Sequence, residues 1–444
     1  MSDPRATDRA SPTDAAHDPY AALRVPAFRW FVISLIAMTV GVQMQGIAVS
    51  WQLYAATNDP LALGLAGLAE VLPFLALALP AGHWADRHDR KRLALIGIGF
   101  LVLCAALFLA MSIGLQASGG ATARAVGSPS WSSPLLIYAV LAVSGVSRAI
   151  LQPVRQALGT MIVPTSLYAN AATWRSSTWQ FGSVVGPAIG GLIFAFAGPV
   201  ATYSVTFVLV LIAWWGMASV RVPPRDVADV PPARPGAGIF EGVRFVLRDK
   251  LVLAALSLDM FAVLFGGATA LLPVFTKTVL NVSPEWLGYL RAAPAVGAVL
   301  MALVLAHQPP LQRAGRTLLA AVFAWGLSII GFALSRDVWL SCALLALGGA
   351  VDSISVVIRS TLLQARTPPH VMGRVMAVNS IFIGSANEIG AFESGLTARL
   401  FGAVNSVLFG GVVTIIVVVA MAVLSPTLRQ LETLHASPDE DDDR

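Results

Sequence analysis

Residues 82–91 read Gly82-His83-Trp84-Ala85-Asp86-Arg87-His88-Asp89-Arg90-Lys91. An apolar run, 61–84, leads into this stretch and another, 92–114, leaves it. Each run is long enough to cross the ~30 Å hydrocarbon layer as a helix. The charged loop between them is too short to do anything but turn the chain back. The stretch therefore reads as the surface loop of a transmembrane helical hairpin.

Outward from that hairpin the pattern repeats. Apolar spans are expected at 28–54, 61–84, 92–114, 134–158, 167–197, 199–220, 251–277, 284–306, 315–335, 337–362, 370–400 and 403–425. None shows the ten-residue alternation of a membrane β-barrel strand. Hydrophobic residues make up 56% of the 444 and charged residues 12%, about half the ~25% of a soluble chain. Mean hydropathy is +0.74. A soluble enzyme, a nucleic-acid-binding protein and a disordered chain are excluded. The fold class is an all-α polytopic membrane protein of twelve transmembrane helices. Cys104 and Cys342 lie inside apolar runs, which suits buried apolar roles better than a disulfide. The first 26 residues are polar and the first run is too long for a signal h-region, so no cleavable leader is expected.

The net charge of +5 matters through its placement. Loops on one side carry Arg87, Arg90, Lys91 and Arg92, six basic residues over 221–250, Arg313 and Arg316, and Arg359, Arg366 and Arg374. The other side holds Arg124, Lys277 and Arg336. The positive-inside rule then puts both termini in the cytoplasm. The stretch 221–250 contains Pro223-Pro224, Pro231-Pro232 and Pro235-Gly236 and reads as a linker. Its end, with Ile239, Val243, Val246 and Leu247 at helical spacing, suits an amphipathic helix on the cytoplasmic membrane surface. The acidic run 439–443 reads as a solubilising tail. The expected division is a tail 1–27, a six-helix bundle 28–220, the linker 221–250, a second bundle 251–425 and a tail 426–444.

The two halves align with each other. At an offset of 204, Arg155 meets Arg359, Pro164 meets Pro368, Ser176 meets Ser380, and Gly186, Gly191 and Gly198 meet Gly390, Gly395 and Gly402. Earlier the offset is 224: Leu63 with Leu287, Gly64 with Gly288, Ala69 with Ala293, Arg92 with Arg316. The difference is an insertion near 115–134. Two six-helix repeats joined by a linker suit a carrier that rocks two half-bundles about a midplane site.

The loop 82–91 resembles the signature of the major facilitator superfamily, with Trp84 where the pattern has Leu and Asp89 where it has Gly. The resemblance implies a cytoplasmic gate built from Gly82, Asp86, Arg87, Arg90 and Lys91. Arg155 and Arg359, near the cytoplasmic ends of their spans, could snorkel to the interface or, as the favoured reading, latch the gate by pairing with acids such as Asp86. Gly182-Ser183-Val184-Val185-Gly186-Pro187-Ala188-Ile189-Gly190-Gly191 resembles the antiporter motif of major facilitator exporters. Gly182, Gly186 and Gly190 form one smooth helix face suited to close packing, Pro187 can bend the helix, and Gly191 completes the motif. Trp51-Gln52-Leu53-Tyr54 through Leu72-Pro73, and Gln152 to Ala171, are similar to the drug and siderophore exporter branch, with its macrolide and enterobactin efflux carriers. No G-x-x-x-x-G-K-[ST] loop is present, since none of Lys91, Lys250 and Lys277 follows a glycine. ATP coupling is set aside, and by elimination and resemblance the proton gradient is the expected driver.

Ionisable groups inside spans mark function or pairing. Asp259, Asp352 and Glu70 are the candidates for proton coupling, because burial favours the neutral form of a carboxylate. Glu70 could instead pair with Arg291. Arg148 and Asp352 stand at equivalent positions of the two repeats and are expected to face the central cavity and pair across it in one state. Glu388 and Glu393 are expected to be structural. Cavity-lining candidates are Arg148, Arg175, Gln43, Gln45, Gln52, Trp174 and Trp179, with the tryptophans placed to stack on planar groups. No metal-ligand spacing and no catalytic constellation is seen, and no cofactor is expected. The expected partners are a small-molecule substrate, protons and the lipid bilayer, with no nucleic acid. The resemblance implies a monomer exporting an amphipathic drug or siderophore-like molecule across the inner membrane of a bacterium. The alternatives are an importer or lipid carrier on the same fold, or a non-transporting sensor.

Overall fold

The computed structural model describes residues 18–117, 133–222, 239–308, 313–368 and 371–431. The insertion near 115–134, the centre of the linker and the acidic tail lie largely outside those residues. The long helices are α1 (Pro26–Thr57), α2 (Pro60–Arg87), α3 (Arg90–Ala117), α4 (Pro134–Met161), α5 (Tyr168–Ser219), α6 (Ile239–Arg248), α7 (Lys250–Phe265), α8 (Glu285–Ala306), α9 (Ala314–Leu334), α10 (Val338–Arg366), α11 (Met372–Phe401) and α12 (Ala403–Leu424). Among the described residues there is no β-strand.

At 1.5 Å per residue, the 52 residues of α5 would extend about 78 Å, far more than one bilayer. Gly198 breaks it, with φ of 78°, a backbone that L side chains resist. The parts before and after Gly198 are two crossings, which brings the total to twelve. Gly402, 204 residues later, adopts φ of 87° between α11 and α12. The repeat is thus written in the backbone as well as in the sequence.

Several helix starts follow from local chemistry. Proline opens α1, α2 and α4 at the position where its missing N–H costs nothing. Asp59 caps α2, Asp249 caps α7 and Asp337 caps α10, each accepting from backbone N–H groups of the first turn. The expected span 251–277 is not one helix. It stops at Phe265, passes Gly266 and Gly267, and continues as a 3-10 turn (Ala268–Leu271) and a π-helical turn (Phe275–Val279). The Trp325 ring occupies the space where a Gly266 side chain would stand, and Gly267 lies against the Gly390 backbone. Two glycines admit the close approach that ends the helix.

The two six-helix bundles meet along α2 against α11 and α5 against α8. At the end away from the chain termini a single apolar core runs through both bundles, from Leu53, Tyr54 and Phe108 to Phe275, Leu287 and Phe332. Toward the termini the core divides. Phe28, Phe31, Leu158 and Met217 pack within the first bundle; Leu258, Leu318 and Ile358 pack within the second. The molecule is therefore closed at the far end and cleft at the end that bears the termini.

The linker helix α6 does not simply rest on a membrane surface. Glu241 pairs with Arg374, and the Arg366 Nε donates to the Asp249 Oδ2 at 2.9 Å. Gly242 lies against the Arg374 backbone. Val243 and Val246 join a small core with Leu363, Val375 and Val378. Val243 and Val246 pack chiefly against α11, and Leu247 stays exposed.

Candidate functional site

At mid-depth, where the cleft ends, three helices bring charges together. The Arg148 Nη1 on α4 donates to the Glu388 Oε1 on α11 at 2.9 Å and stands 3.6 Å from the Glu70 Oε1 on α2. The guanidinium also lies 5.0 Å over the Phe74 ring, one turn from Glu70. Small residues make this possible. A methyl group on Gly145 would run into the Glu70 carbonyl, so only glycine lets α4 come this close to α2. A Cβ on Gly67 would sit 3.1 Å from the Glu388 Oε2, and one on Gly384 would sit 3.4 Å from the Arg148 Nη2. Arg291 on α8 feels the charges of both Glu388 and Glu70 without an ion pair to either. The Arg148, Glu70 and Glu388 side chains remain 34, 27 and 22% exposed. They form part of a wall that can exchange partners, not a sealed pair.

A second cluster is sealed inside the second bundle. Asp259 on α7 pairs with Arg359 on α10, both under a tenth exposed. Asp352 is seven residues before Arg359, hence on the same face of α10. Asp259, Asp352, Ala262, Trp325 and Ser355 line one small pocket. The Arg359 Nε and the Ser355 Oγ are buried with no hydrogen-bond partner.

The closed end carries its own contacts across the seam. The Lys277 Nζ donates to the Asn58 Oδ1 at 2.8 Å and lies 5.4 Å from the Tyr54 ring centre. Arg399 on α11 pairs with Asp59, the cap of α2, at 3.2 Å. Gly191 meets Gly288 backbone to backbone: a Cβ on Gly191 would stand 2.7 Å from the Gly288 Cα. Sequence reasoning missed these contacts. Sequence alone gives neither Lys277 nor Arg399 a partner, and the available signal was the Asn58-Asp59-Pro60 turn facing them.

The profile of one protein family, described as transmembrane secretion effector, matches residues 17–441. The chain belongs to that family, within the major facilitator superfamily. Over 426 residues it is 26% identical to the enterobactin exporter EntS of Escherichia coli O1:K1, covering 91% of this chain and 93% of that one. The Shigella boydii serotype 18 exporter of the same name is 25% identical over the same length. Among solved structures, a bacterial homolog of the human lysosomal transporter Spinster, in an inward-facing and occupied conformation, aligns with a TM-score of 0.64 at 16% identity. That alignment covers 95% of this chain and 99% of that one. The nucleoside transporter NupG aligns with a TM-score of 0.65 at 10% identity, covering 91% of this chain and all of that one. This chain is a major facilitator transporter.

Within this transporter several expected pairings are replaced by others. Arg148 does not pair with Asp352. α4 packs on α2, and α2 packs on α11, so Arg148 reaches the α2–α11 seam while Asp352 faces the pocket inside its own bundle. Glu388, expected to be structural, is the partner that crosses. Glu70 contacts Arg148, not Arg291. Arg359 turns inward to Asp259 and, among the described residues, pairs with nothing across the cleft. Arg155 has no ion pair among the described residues. Gly82 has open space around it, Arg87 is exposed, and the Arg90 Nε donates to the Ala85 carbonyl at 3.2 Å. Lys91 is half-buried, its backbone N–H accepted by the Asp89 carboxylate at 2.8 Å. The Asp86 side chain lies outside the described residues.

Of the lining candidates, Trp174 donates its indole N–H to the Pro19 carbonyl at 3.0 Å and stacks near Tyr20, so it anchors the N-terminal segment. Gln52 accepts from the Tyr203 hydroxyl at 2.7 Å, inside its bundle. Gln43 backs onto Gly186, and Gln45 is buried. Trp179 is exposed. Gly182, Gly186 and Gly190 face Thr39, Gln43 and Met44, so the smooth face packs α5 on α1; Gly191, next along, faces the seam.

Proposed function

We propose that this transporter exports a small amphipathic molecule, of drug or siderophore-like character, by alternating access in exchange for protons. The two rocking units are residues 28–220 and 251–425. The observation that carries the reading is Arg148, held between Glu70 of its own bundle and Glu388 of the other. A bridge across two bodies that move apart has to break and re-form in every cycle. Breaking it leaves Glu388 without a partner and Arg148 with Glu70 alone, which is costly in a low-dielectric wall. A proton on a carboxylate, or an anionic group of the cargo beside Arg148, removes that cost and so ties occupancy to movement. Glu70 can take the proton there, and Asp259 and Asp352 can do so in the second bundle. The antiporter-like glycine motif on α5 and the relatives named as enterobactin exporters support export of a siderophore-like cargo. The positive-inside bias supports a cleft on the cytoplasmic side, where an exporter loads.

The test uses everted membrane vesicles with an imposed proton gradient. Macrolides, lipophilic cations and catecholate siderophores are added in turn. The reading expects at least one to collapse the gradient in vesicles containing the transporter, and about tenfold less in vesicles containing Glu388→Gln. Collapse that is identical with both, or with neither chain present, overturns it.

A further inference from the structure

α4 carries a second arginine on the face that holds Arg148. Arg155 lies seven residues further on, about 10 Å along the axis toward the end bearing the termini. Arg175 approaches the same level from α5. Its Cδ and Nη1 lie 2.8 Å from where a Gly159 Cβ would stand, and its Nη1 donates to the Gln156 carbonyl at 3.2 Å. The charges that act on Arg155 are those of Arg148 and Arg175. Among the described residues no carboxylate pairs with Arg155 or Arg175. Two guanidinium groups therefore share this depth of the first bundle without a counter-ion.

The other repeat shows what is missing. Arg359 is the equivalent of Arg155 and is neutralised by Asp259. α1 and α7 begin at Pro26 and Lys250, 224 residues apart, and the residue 224 before Asp259 is Leu35. The placement agrees. The Phe31 Cε1 lies 3.5 Å from where a Gly159 Cβ would stand. α1 runs antiparallel to α4, so the next turn brings Leu35 to the level of Arg155. One bundle supplies an internal anion at this position and the other supplies a buried leucine. An uncompensated cation away from bulk water is expensive, and an external anion would relieve that cost.

We propose that Arg155 and Arg175 form a binding subsite for an oxyanion group, of carboxylate, sulfonate or phosphate class. The subsite lies on the first bundle's side of the cleft, and the group passes from it to Arg148. Planar guanidinium groups hold such oxyanions with paired, charge-assisted hydrogen bonds. The inference rests on the export reading for its direction only: the subsite lies between the open end of the cleft and the Arg148–Glu388 bridge. It names an anionic group as part of the cargo. The headgroup of an anionic phospholipid carries the same chemistry.

The experiment measures binding, not transport. The full-length protein in a neutral detergent is titrated with benzenesulfonate and with benzoate, and thermal unfolding is followed; benzyl alcohol and benzylammonium are the neutral and cationic controls. Saturable stabilisation by the two anions alone is expected. Arg155→Gln and Arg175→Gln should each raise the half-saturating concentration about tenfold, the size of one charge-assisted contact. Arg155→Lys should recover most of the loss, and Leu35→Asp, which supplies the missing counter-charge, should abolish binding. Equal stabilisation by benzyl alcohol, or unchanged half-saturation in both glutamine variants, overturns the subsite. The titration is repeated in nanodiscs with and without phosphatidylglycerol. Competition by that lipid, lost in Arg155→Gln, assigns the subsite to lipid headgroups and overturns the passage to Arg148; no competition supports a soluble cargo. Failure of vesicle transport with anion binding intact would overturn the export reading alone.

Discussion

Arg148 of the first bundle donates to Glu388 of the second at 2.9 Å while standing 3.6 Å from Glu70 of its own bundle. Glu70 travels with Arg148 in any rigid-body rocking and Glu388 does not. The guanidinium is thus never stripped of both partners by movement alone. That makes the bridge a state-dependent contact on top of a permanent one.

Glu388→Gln follows directly. Arg148 keeps Glu70, so expression and unfolding temperature should stay near wild type. The seam at mid-depth loses an inter-bundle tie. The expected outcome is a fall of about tenfold in substrate-driven gradient collapse, equivalent to roughly 1.4 kcal/mol of coupling. Glu70→Gln with Glu388→Gln removes both partners and should also lower the unfolding temperature. Equal transport in wild type and Glu388→Gln would show that the bridge is passive.

The Asp259–Arg359 pair answers differently because both side chains are under a tenth exposed. Asp259→Asn leaves Arg359 buried without a charge partner, a loss of about 3–5 kcal/mol for a fully buried pair. A clear drop in unfolding temperature of the purified protein is expected. Asp259→Leu with Arg359→Met replaces the pair by apolar groups and should recover most of that drop. If Asp259 also carries a proton, gradient collapse stays lost in the stable double variant. Recovery of transport together with stability would confine Asp259 to a structural role.

The spans were legible because a bilayer imposes a length and an apolar composition on every crossing, and the repeat was legible because Gly198 and Gly402 mark it. The break in α7 was not, since Gly266-Gly267 sits in an apolar run and only the Trp325 ring packed against it shows why the helix stops. The charged residues were legible as a set but not as pairs. Sequence symmetry equates Arg148 with Asp352, yet a guanidinium reaches sideways to whichever helix packs closest, and that is fixed by Gly145 and Gly67. The seam contacts of Lys277 and Arg399 depend on how two bundles tilt, which no local pattern encodes.

Asp249 joins the linker helix to the second bundle. Its Oδ1 accepts from the Leu251 and Val252 N–H groups at 3.0 Å, and its Oδ2 accepts from the Arg366 Nε at 2.9 Å. Asp249→Ala removes a helix cap and an ion pair at once. The cap alone is worth about 1 kcal/mol, and the partly exposed pair adds little. Hydrogen exchange should speed up in α6 and in the first turn of α7, with the rest of α7 unchanged. Uniform exchange across both bundles would mean that α6 holds the whole transporter together.

Two sets of glycines on α5 should separate under substitution. Gly186 packs inside the first bundle, against the Gln43 Cβ and the Val40 carbonyl. A leucine there overpacks the α1–α5 interface, at a cost of about 1–3 kcal/mol, in whichever state the transporter occupies. Gly191 packs across the seam, on the Gly288 backbone. A valine there collides only when the far end is closed, so it shifts the balance of states and spares the fold. Cysteines at Asn58 and Lys277, whose side-chain ends meet at 2.8 Å, report closure through a short bifunctional thiol cross-linker once Cys104 and Cys342 are replaced. Gly186→Leu should lower the unfolding temperature and leave the cross-linking rate alone. Gly191→Val should slow cross-linking about tenfold, the effect of roughly 1.4 kcal/mol on a two-state balance, and leave the unfolding temperature nearly unchanged. The reverse pattern would place Gly191 inside a bundle contact and remove it from the closure of the far end.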